Sequence, residues 1–234
     1  METPNLSRQH PYFPIDLDLP HYEENTKDVL EILAIFGVVV VVTMTATWWY
    51  VSGIKRPKFS FLDKLKLCWF VSCVLIHIVI EGYFSLNHRT LAGSQTFLAQ
   101  LWKEYGKSDS RYISSDNFTV SMETITAFVD GPLCLLTALA FIKNRPDRYV
   151  FQLIVSMMQL YGDVLYFMTE CRDDFQHGEL WHPLYFWFYF VFMNIWWIIV
   201  PILCIIQSYN RMCCAQNKTD AMVTKVSISS KKRH

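Results

Sequence analysis

Long apolar runs separated by charged stretches dominate this sequence of 234 residues. Five of the runs have about the 20 residues that a helix needs to cross a bilayer. They cover residues 29–51, 67–86, 120–142, 149–169 and 184–206. The pattern predicts an all-α fold, in which a bundle of five transmembrane helices forms a polytopic membrane protein.

The same runs divide the chain into four parts. Residues 1–28 precede the first predicted helix, residues 29–51 form it, residues 60–206 hold the other four helices, and residues 207–234 carry no long apolar run. We expect residues 60–206 to form the functional four-helix domain and residues 207–234 to form a tail. In the loop of residues 87–118, apolar and charged positions alternate and predict a short amphipathic helix on the membrane surface.

Charge in the connecting segments predicts the orientation. The segments after the first and third predicted helices and the tail are mostly basic, whereas the loop between the fourth and fifth is acidic. Basic segments stay on the cytosolic side, so the N-terminus is expected in the lumen and the C-terminus in the cytosol. Lys231 and Lys232 lie fourth and third from the end, which fits a dilysine retrieval signal to the endoplasmic reticulum. A solvated basic tail is the alternative.

Composition excludes several classes of function. The formal net charge of zero gives no bulk electrostatic reason for binding nucleic acid. No glycine-rich phosphate loop occurs, so no nucleotide cofactor is indicated. The seven cysteines have no CxxC spacing, which argues against a disulfide framework or a zinc site.

Ionisable residues interrupt the apolar runs. A charge at the bilayer centre costs about 2.5–3.5 kcal/mol on insertion scales, so such residues usually face the bundle interior and are functional candidates. His77 and Glu81 are four apart and share one helix face. Helical spacing also aligns polar residues on three later helices: Thr119, Glu123, Thr126 and Asp130; Gln159, Asp163, Tyr166 and Glu170; Asn194 and Trp197.

One interpretation is that these polar stripes form hydrogen bonds that hold neighbouring helices together. Aligned polar sets on four helices, including a histidine and several carboxylates, favour a reactive cavity instead. The fifth run adds a long aromatic stretch from residue 185, which suits a flat apolar ligand and stabilises a cation. Together these features indicate a lipid-soluble substrate and general acid–base chemistry.

The histidines argue against an iron enzyme. Many membrane-bound lipid oxidases hold two irons with clustered histidines, whereas the seven histidines of this chain are dispersed. The alternative that stays open is a metal held by His177, Glu179 and His182 in the acidic loop.

Several segments closely resemble the emopamil-binding protein family, the sterol delta-8 to delta-7 isomerases, within the wider EXPERA group. The resemblance covers about residues 60–205 and, more weakly, residues 10–12. Asp130 departs from the family pattern, in which a large apolar residue such as tryptophan is expected. The matching segments are residues 76–82, 100–105, 108–113, 116–120, 122–127, 161–167 and 182–194.

The resemblance implies that residues 60–206 are an EXPERA-type catalytic domain that moves a sterol double bond without a cofactor or metal. It implies catalytic roles for His77 with Glu81, and for Glu123, with Asn194 orienting the Glu123 carboxylate and Trp197 facing the cation. Its expected ligands are a sterol and cationic amphiphilic amines. A homodimer or an association with another sterol-pathway enzyme is also expected, in the endoplasmic reticulum membrane and nuclear envelope. Substrate contacts are expected from Thr126, Tyr112, Asp163, Met122 and Phe190.

Two other functions are consistent with the pattern. A non-catalytic sterol-binding member of the same group would be favoured if His77, Glu81 or Glu123 were replaced, but all three are present. A transporter or proton channel would require a wet path open to both sides of the membrane. The aromatic fifth run argues against such a path.

Overall fold

The computed structural model describes residues 10–231, with side chains as far as residue 225. Helices account for the regular structure of these residues, and no strand occurs among them, so the predicted all-α fold is confirmed. A single 3₁₀ turn covers Leu91–Gly93. The helices are α1 (Val29–Gly53), α2 (Phe61–Asn87), α3 (Phe97–Tyr105), α4 (Arg111–Ser114), α5 (Asn117–Ile142), α6 (Arg148–Arg172), α7 (Pro183–Phe192) and α8 (Trp196–Lys231).

All five predicted spans exist. Helices α1, α2, α5, α6 and the continuous pair α7–α8 are each long and apolar enough to cross a membrane, so the chain is a multi-pass membrane protein. Helix α1 packs against α2 and α3 along one side only. Val38 and Val41 on its outer side are 62% and 61% exposed, as expected for side chains that face lipid.

The helix boundaries differ from the predicted ones at both ends of the bundle. Helix α2 begins at Phe61, ahead of the apolar run, because Ser60 and Asp63 form a capping box that satisfies its first backbone donors. Helix α8 runs without interruption to Lys231, so the predicted tail of residues 207–234 begins inside a helix. The side chains of Lys231 and Lys232 lie outside the described residues.

Two membrane helices contain widened π-helical turns that pack against each other. These turns are Ile76–Glu81 in α2 and Thr126–Asp130 in α5. The turn in α5 ends two residues before Pro132, which has no backbone N–H to donate and so favours a break in the regular hydrogen-bond pattern. Gly131 permits the close approach, since a Cβ there would lie 2.5 Å from Cγ1 of Ile78.

The N-terminal segment and helix α3 together close one end of the bundle. The Tyr12 hydroxyl donates to the Lys103 carbonyl oxygen at 3.1 Å, and the Lys27 backbone N–H donates to Oε1 of Gln100 at 2.9 Å. The predicted helix in the loop of residues 87–118 is therefore present. It buries one side against the bundle and residues 10–27 rather than lying free on a surface.

Ion pairs connect the segment between α3 and α5 to helix α6. The Arg111 guanidinium donates to Asp109, with Nη2 and Oδ2 2.6 Å apart, and its Nε lies 3.4 Å from Oε2 of Glu170. The same Glu170 oxygen is 2.7 Å from Nδ1 of His177. Because these charges are buried or half-buried, their pairing offsets the cost of removing them from water.

Two hydrophobic clusters form the core. The first contains buried aromatic side chains, among them Phe84, Trp102 and Tyr112, at the end that α3 closes. The second contains smaller side chains, among them Cys73 and Cys134, towards the other end. Since residues 76–81 of α2 lie between these clusters, the side chains of its π-helical turn face the space between the two cores.

Candidate active site

A cavity lies between the two core clusters and receives side chains from α1 to α6 and from the α7–α8 pair. It encloses about 1050 Å³ of atom-free space, its open mouth included. Most of its wall is apolar or aromatic, with a few polar groups, which is the usual composition of a site for an apolar ligand.

His77 is held on both ring nitrogens. Its Nδ1 lies 2.7 Å from Oε2 of Glu81, and the side-chain amide nitrogen of Gln159 donates to its Nε2 at 3.1 Å. Because the amide nitrogen is a donor, this arrangement requires Nε2 to accept and Nδ1–H to donate to the carboxylate. The ring is 2% exposed, so its orientation is fixed by these two partners. The predicted pairing of His77 with Glu81 is confirmed.

Glu123 enters the same cavity from the opposite helix, α5. Its Oε1 accepts a hydrogen bond from the Tyr112 hydroxyl at 2.5 Å, and its Oε2 accepts from the Thr126 hydroxyl at 3.2 Å. Burial raises the pKa of Tyr112 well above the usual range of a phenol, and the charge of Glu123 raises it further. The hydroxyl therefore stays protonated and available as a donor.

The carboxyl groups of Glu81 and Glu123 are close enough to interact with each other and with His77. The cavity therefore brings one imidazole and two carboxyl groups together, which are side chains that commonly perform general acid–base catalysis. The facing π-helical turns of α2 and α5 explain this convergence, because His77 and Glu81 lie in one turn and Glu123 directly precedes the other.

The predicted hydrogen bond between Asn194 and Glu123 is wrong. The Asn194 amide nitrogen donates to the Tyr105 hydroxyl at 2.8 Å and to the backbone carbonyl oxygens of Phe190 at 2.8 Å and Tyr189 at 3.2 Å. These carbonyls belong to the π-helical α7. Asn194 still lines the cavity, and Glu123 takes Tyr112 and Thr126 as its partners instead.

Of four further predicted site residues, three line the cavity and one does not. Trp197, Asp163 and Met122 line the cavity. Trp197 Nε1 and Asp163 Oδ2 are buried and have no hydrogen-bond partner, so both offer polar atoms to a ligand. Phe190 does not line the cavity. Its ring packs behind Tyr166, at 5.4 Å between centroids, and so supports the wall instead of touching the space.

Asp130 lies behind the cavity rather than in its lining. It is 1% exposed, and its Oδ1 has no hydrogen-bond partner. The π-helical turn that ends at Asp130 directs this carboxyl towards the acid–base groups of α2. Asp130 thus places a buried ionisable group in the turn of α5 that packs against the turn of His77 and Glu81.

Sequence reasoning missed the contributions of α1 and α3. Leu33 and Phe36 of α1 line the cavity, although the functional domain was predicted to begin at residue 60. Tyr105 and Trp102 of α3 line it too, and the Trp102 indole donates to the Ile80 carbonyl oxygen at 2.9 Å. The resemblance of residues 100–105 was a usable signal for α3, whereas an evenly apolar helix such as α1 carries none.

The alternative metal site in the acidic loop does not form. His177 pairs with Glu170, and His182 accepts backbone hydrogen bonds from Leu184 and Tyr185 at the start of α7. Within the described part of the chain, the potential ligand atoms of His177 lie next to those of Asp109 and Glu170, and neither Glu179 nor His182 joins them.

The sequence is similar to known proteins along almost its whole length. The profile of the EXPERA family (expanded EBP superfamily) matches residues 97–208. The chain is 46% identical over 228 residues to the 3-beta-hydroxysteroid-Delta(8),Delta(7)-isomerase of Rattus norvegicus. The matched region covers 96% of this chain and 97% of the relative. Proteins of the same name from Cavia porcellus (43% over 225 residues, covering 96% and 98%) and Mus musculus (45% over 228 residues, covering 96% and 97%) also match.

Proposed function

Because the chain belongs to the EXPERA superfamily and is 43–46% identical to mammalian 3-beta-hydroxysteroid-Delta(8),Delta(7)-isomerases, we propose that it is a sterol isomerase of the same kind. It moves a sterol double bond from carbons 8 and 9 to carbons 7 and 8, a reaction of cholesterol biosynthesis. The observation that carries the proposal is the pair of acid–base centres, His77 with Glu81 on α2 and Glu123 on α5, that face one apolar cavity.

The reaction needs one proton in and one proton out. Protonation of carbon 9 breaks the double bond and leaves a tertiary cation at carbon 8, and removal of a proton from carbon 7 forms the new double bond. No electron is gained or lost, so the chemistry requires acid–base groups and not a redox cofactor. General acid–base catalysis by positioned side chains accelerates such steps by roughly 10²–10⁴-fold.

The facing helices divide these tasks. His77 and Glu81 act as one proton-transfer unit, since their hydrogen bond couples the charge of the imidazole to the carboxylate. Glu123 is the opposing acid–base group, and its charge stabilises the cation. Tyr112 and Thr126 orient that carboxyl group. The close approach of α5 to α2 at Gly131 brings the two centres next to each other in the cavity wall, where both reach the same region of the sterol.

The aromatic wall stabilises the cation and explains a second expected property. The Trp197 ring lies 6.3 Å from the His77 ring, between centroids, and lines the cavity. An aromatic face next to carboxylates favours positive charge. Hydrophobic amines that carry a proton resemble the cation intermediate and should therefore bind in this cavity in competition with the sterol.

The proposed cellular setting is the endoplasmic reticulum membrane and the nuclear envelope, with the N-terminus in the lumen and the C-terminus in the cytosol. The basic segments after α1 and α5 support this orientation. In this setting residues 10–27 and α3 close the lumenal end of the cavity. Association with a second copy or with another enzyme that handles sterols is part of the same proposal.

The test is complementation of a yeast strain that lacks its own sterol delta-8 isomerase, with sterols measured by mass spectrometry. The chain is expected to convert delta-8 sterols to delta-7 sterols. His77→Gln and Glu123→Gln remove a proton-transfer group at nearly constant volume and should lose conversion. His21→Gln and Glu31→Gln, at exposed positions outside the cavity, are matched controls and should keep it.

Expression of every variant is checked by immunoblot and by gel filtration in detergent. If the well-folded chain leaves delta-8 sterols unchanged, it is not an isomerase, and the sterol-binding alternative replaces the proposal. If His77→Gln or Glu123→Gln converts sterol as well as the controls do, the assigned roles of these residues are wrong.

A further inference from the structure

Two cysteines and the active-site histidine meet behind the cavity wall. Cys73 and His77 lie on α2, and Cys134 lies on the facing α5. The two Sγ atoms and an imidazole nitrogen all lie within 4.8 Å of one another. Cys73 and Cys134 are 0% exposed, and His77 is 2% exposed. The isomerisation as proposed makes no use of either thiol.

The packing of the two helices produces this cluster. Cys73 precedes His77 by four residues and therefore shares its helix face. On α5, Gly131 approaches closely, and its Cβ position lies 3.3 Å from Cβ of His77. Cys134 follows Gly131 by about one turn, so in an antiparallel neighbour it lies opposite Cys73. The cluster therefore lies where α2 and α5 pack against each other.

The ligand chemistry is that of a soft divalent metal ion. Zn²⁺ binds thiolates at about 2.3 Å and imidazole at about 2.0–2.1 Å, so ligand atoms around one tetrahedral ion are separated by roughly 3.5–3.8 Å. The three groups need only small side-chain rotations to reach this spacing. Two thiolates and a neutral imidazole also neutralise a 2+ ion, which suits a site buried away from water.

Gln159 supplies a second and independent indication of a ligand. Its amide nitrogen lies 3.1 Å from Nε2 of His77 and 3.5 Å from Sγ of Cys134, and thus sits between these two ligand atoms. Its Oε1 is buried and has no hydrogen-bond partner. When the Gln159 amide rotates by half a turn, its Oε1 takes the place of its nitrogen between His77 and Cys134. The oxygen then supplies the fourth ligand.

The hydrogen bond between His77 and Glu81 is also of the kind that a metal-binding histidine makes. Metal-binding histidines usually donate their other ring N–H to a carboxylate, which fixes the ring and strengthens the bound nitrogen. Nδ1 of His77 already lies 2.7 Å from Glu81, so Nε2 is the nitrogen that faces the cysteines and Gln159.

We propose that Cys73, His77, Cys134 and the Gln159 amide oxygen form a site for a soft divalent metal ion such as Zn²⁺, and that the bound ion inhibits the enzyme. Binding displaces the water ligands of the ion, releases the two thiol protons to solvent, and forms two metal–sulfur bonds, one metal–nitrogen bond and one metal–oxygen bond. An imidazole whose Nε2 carries a metal cannot take up a proton there. The inhibition, but not the binding, rests on the proposed isomerase function.

The binding test uses the purified full chain in lipid nanodiscs, stripped of metal and titrated with Cd²⁺. The wild type should give an ultraviolet thiolate-to-Cd²⁺ band that saturates at about one ion per chain and is displaced by Zn²⁺. Cys134→Ser and Cys73→Ser remove one ligand each and should weaken binding roughly tenfold or more. Cys68→Ser is the matched control, because Cys68 is buried on the same helix but lies outside the cluster.

The inhibition test measures sterol isomerisation in the same nanodiscs as Zn²⁺ is added. Wild type and Cys68→Ser should be inhibited at similar concentrations, and Cys134→Ser should need roughly tenfold more Zn²⁺. A Cd²⁺ band that is unchanged in Cys134→Ser overturns the site. Cysteine-dependent binding without inhibition overturns the blocking role. Cysteine-dependent binding in a wild type that isomerises no sterol leaves the metal site standing and rejects the proposed function.

Discussion

The Tyr112 hydroxyl lies 2.5 Å from Oε1 of Glu123 and joins a helix outside the membrane to a carboxyl group inside it. The Tyr112 ring stacks on Trp102 with 4.7 Å between centroids, so the hydroxyl is held by α3 and α4 while the carboxyl is held by α5. The elements that close one end of the bundle therefore also set the orientation of a proposed acid–base group.

This relationship predicts the effect of Tyr112→Phe. The substitution keeps the ring and its stacking but removes a hydrogen bond to a charged group, which is worth about 1.5–3 kcal/mol. We expect kcat for sterol isomerisation to fall roughly 10–100-fold and the melting temperature to fall as well, because the lost bond is buried. Tyr209→Phe, at a residue that is 65% exposed, is the control. A kcat equal to that of the wild type would show that Glu123 needs no help from Tyr112.

The bond between Asn194 and Tyr105 predicts energetic coupling. Asn194→Leu removes donors from two carbonyls of α7 and from the Tyr105 hydroxyl, and should lower both the melting temperature and kcat. In a double-mutant cycle, Asn194→Leu and Tyr105→Phe should be coupled by about 0.5–3 kcal/mol. Asn194→Leu with Glu123→Gln should show much weaker coupling in stability. A larger coupling energy for Asn194 with Glu123 than for Asn194 with Tyr105 would support a direct contact between Asn194 and Glu123.

The first helix is predicted to contribute to substrate binding. Leu33 lines the cavity, whereas Leu30 on the same helix is 76% exposed towards the lipid. Leu33→Ala removes apolar contact with the sterol, and the resulting loss of about 1–2 kcal/mol should raise KM roughly tenfold. Leu30→Ala makes the same chemical change outside the cavity and should leave KM unaltered. Equal KM values for the two variants would mean that α1 is only a membrane anchor.

The pair of His177 and Glu170 predicts a pH-dependent stability. Burial lowers the pKa of His177, but the hydrogen bond and charge of Glu170 outweigh this effect and raise the pKa above its ordinary value of 6.5. A raised pKa means that the stabilisation is complete below the unfolded-state pKa and is lost as the pH rises through the folded-state pKa.

Melting temperatures of wild type and His177→Gln test this sign. The melting temperature of the wild type should exceed that of His177→Gln by more at about pH 5.5 than at about pH 8.5. His21→Gln, at an exposed residue, is the control and should show no such change. A gap that widens with rising pH would contradict the assigned partner.

The pattern of apolar and polar residues determined the fold class and the number of membrane crossings. Hydrophobic length alone selects a spanning helix, because every backbone polar group in lipid must be satisfied within its own segment. Helical spacing likewise predicted that His77 and Glu81 share one face, since the relation of residues four apart is local. The family resemblance added the substrate class and most of the cavity residues.

Only the tertiary structure decided which groups from different helices meet. Asn194 contacts Tyr105 and not Glu123, Phe190 supports the wall, and Leu33 of the first helix lines the cavity. Cys73, His77 and Cys134 converge although no CxxC spacing marks them. These outcomes depend on helix rotation, and each π-helical turn inserts extra backbone that rotates all later side chains. Sequence periodicity assumes a regular turn, so it cannot supply that rotation.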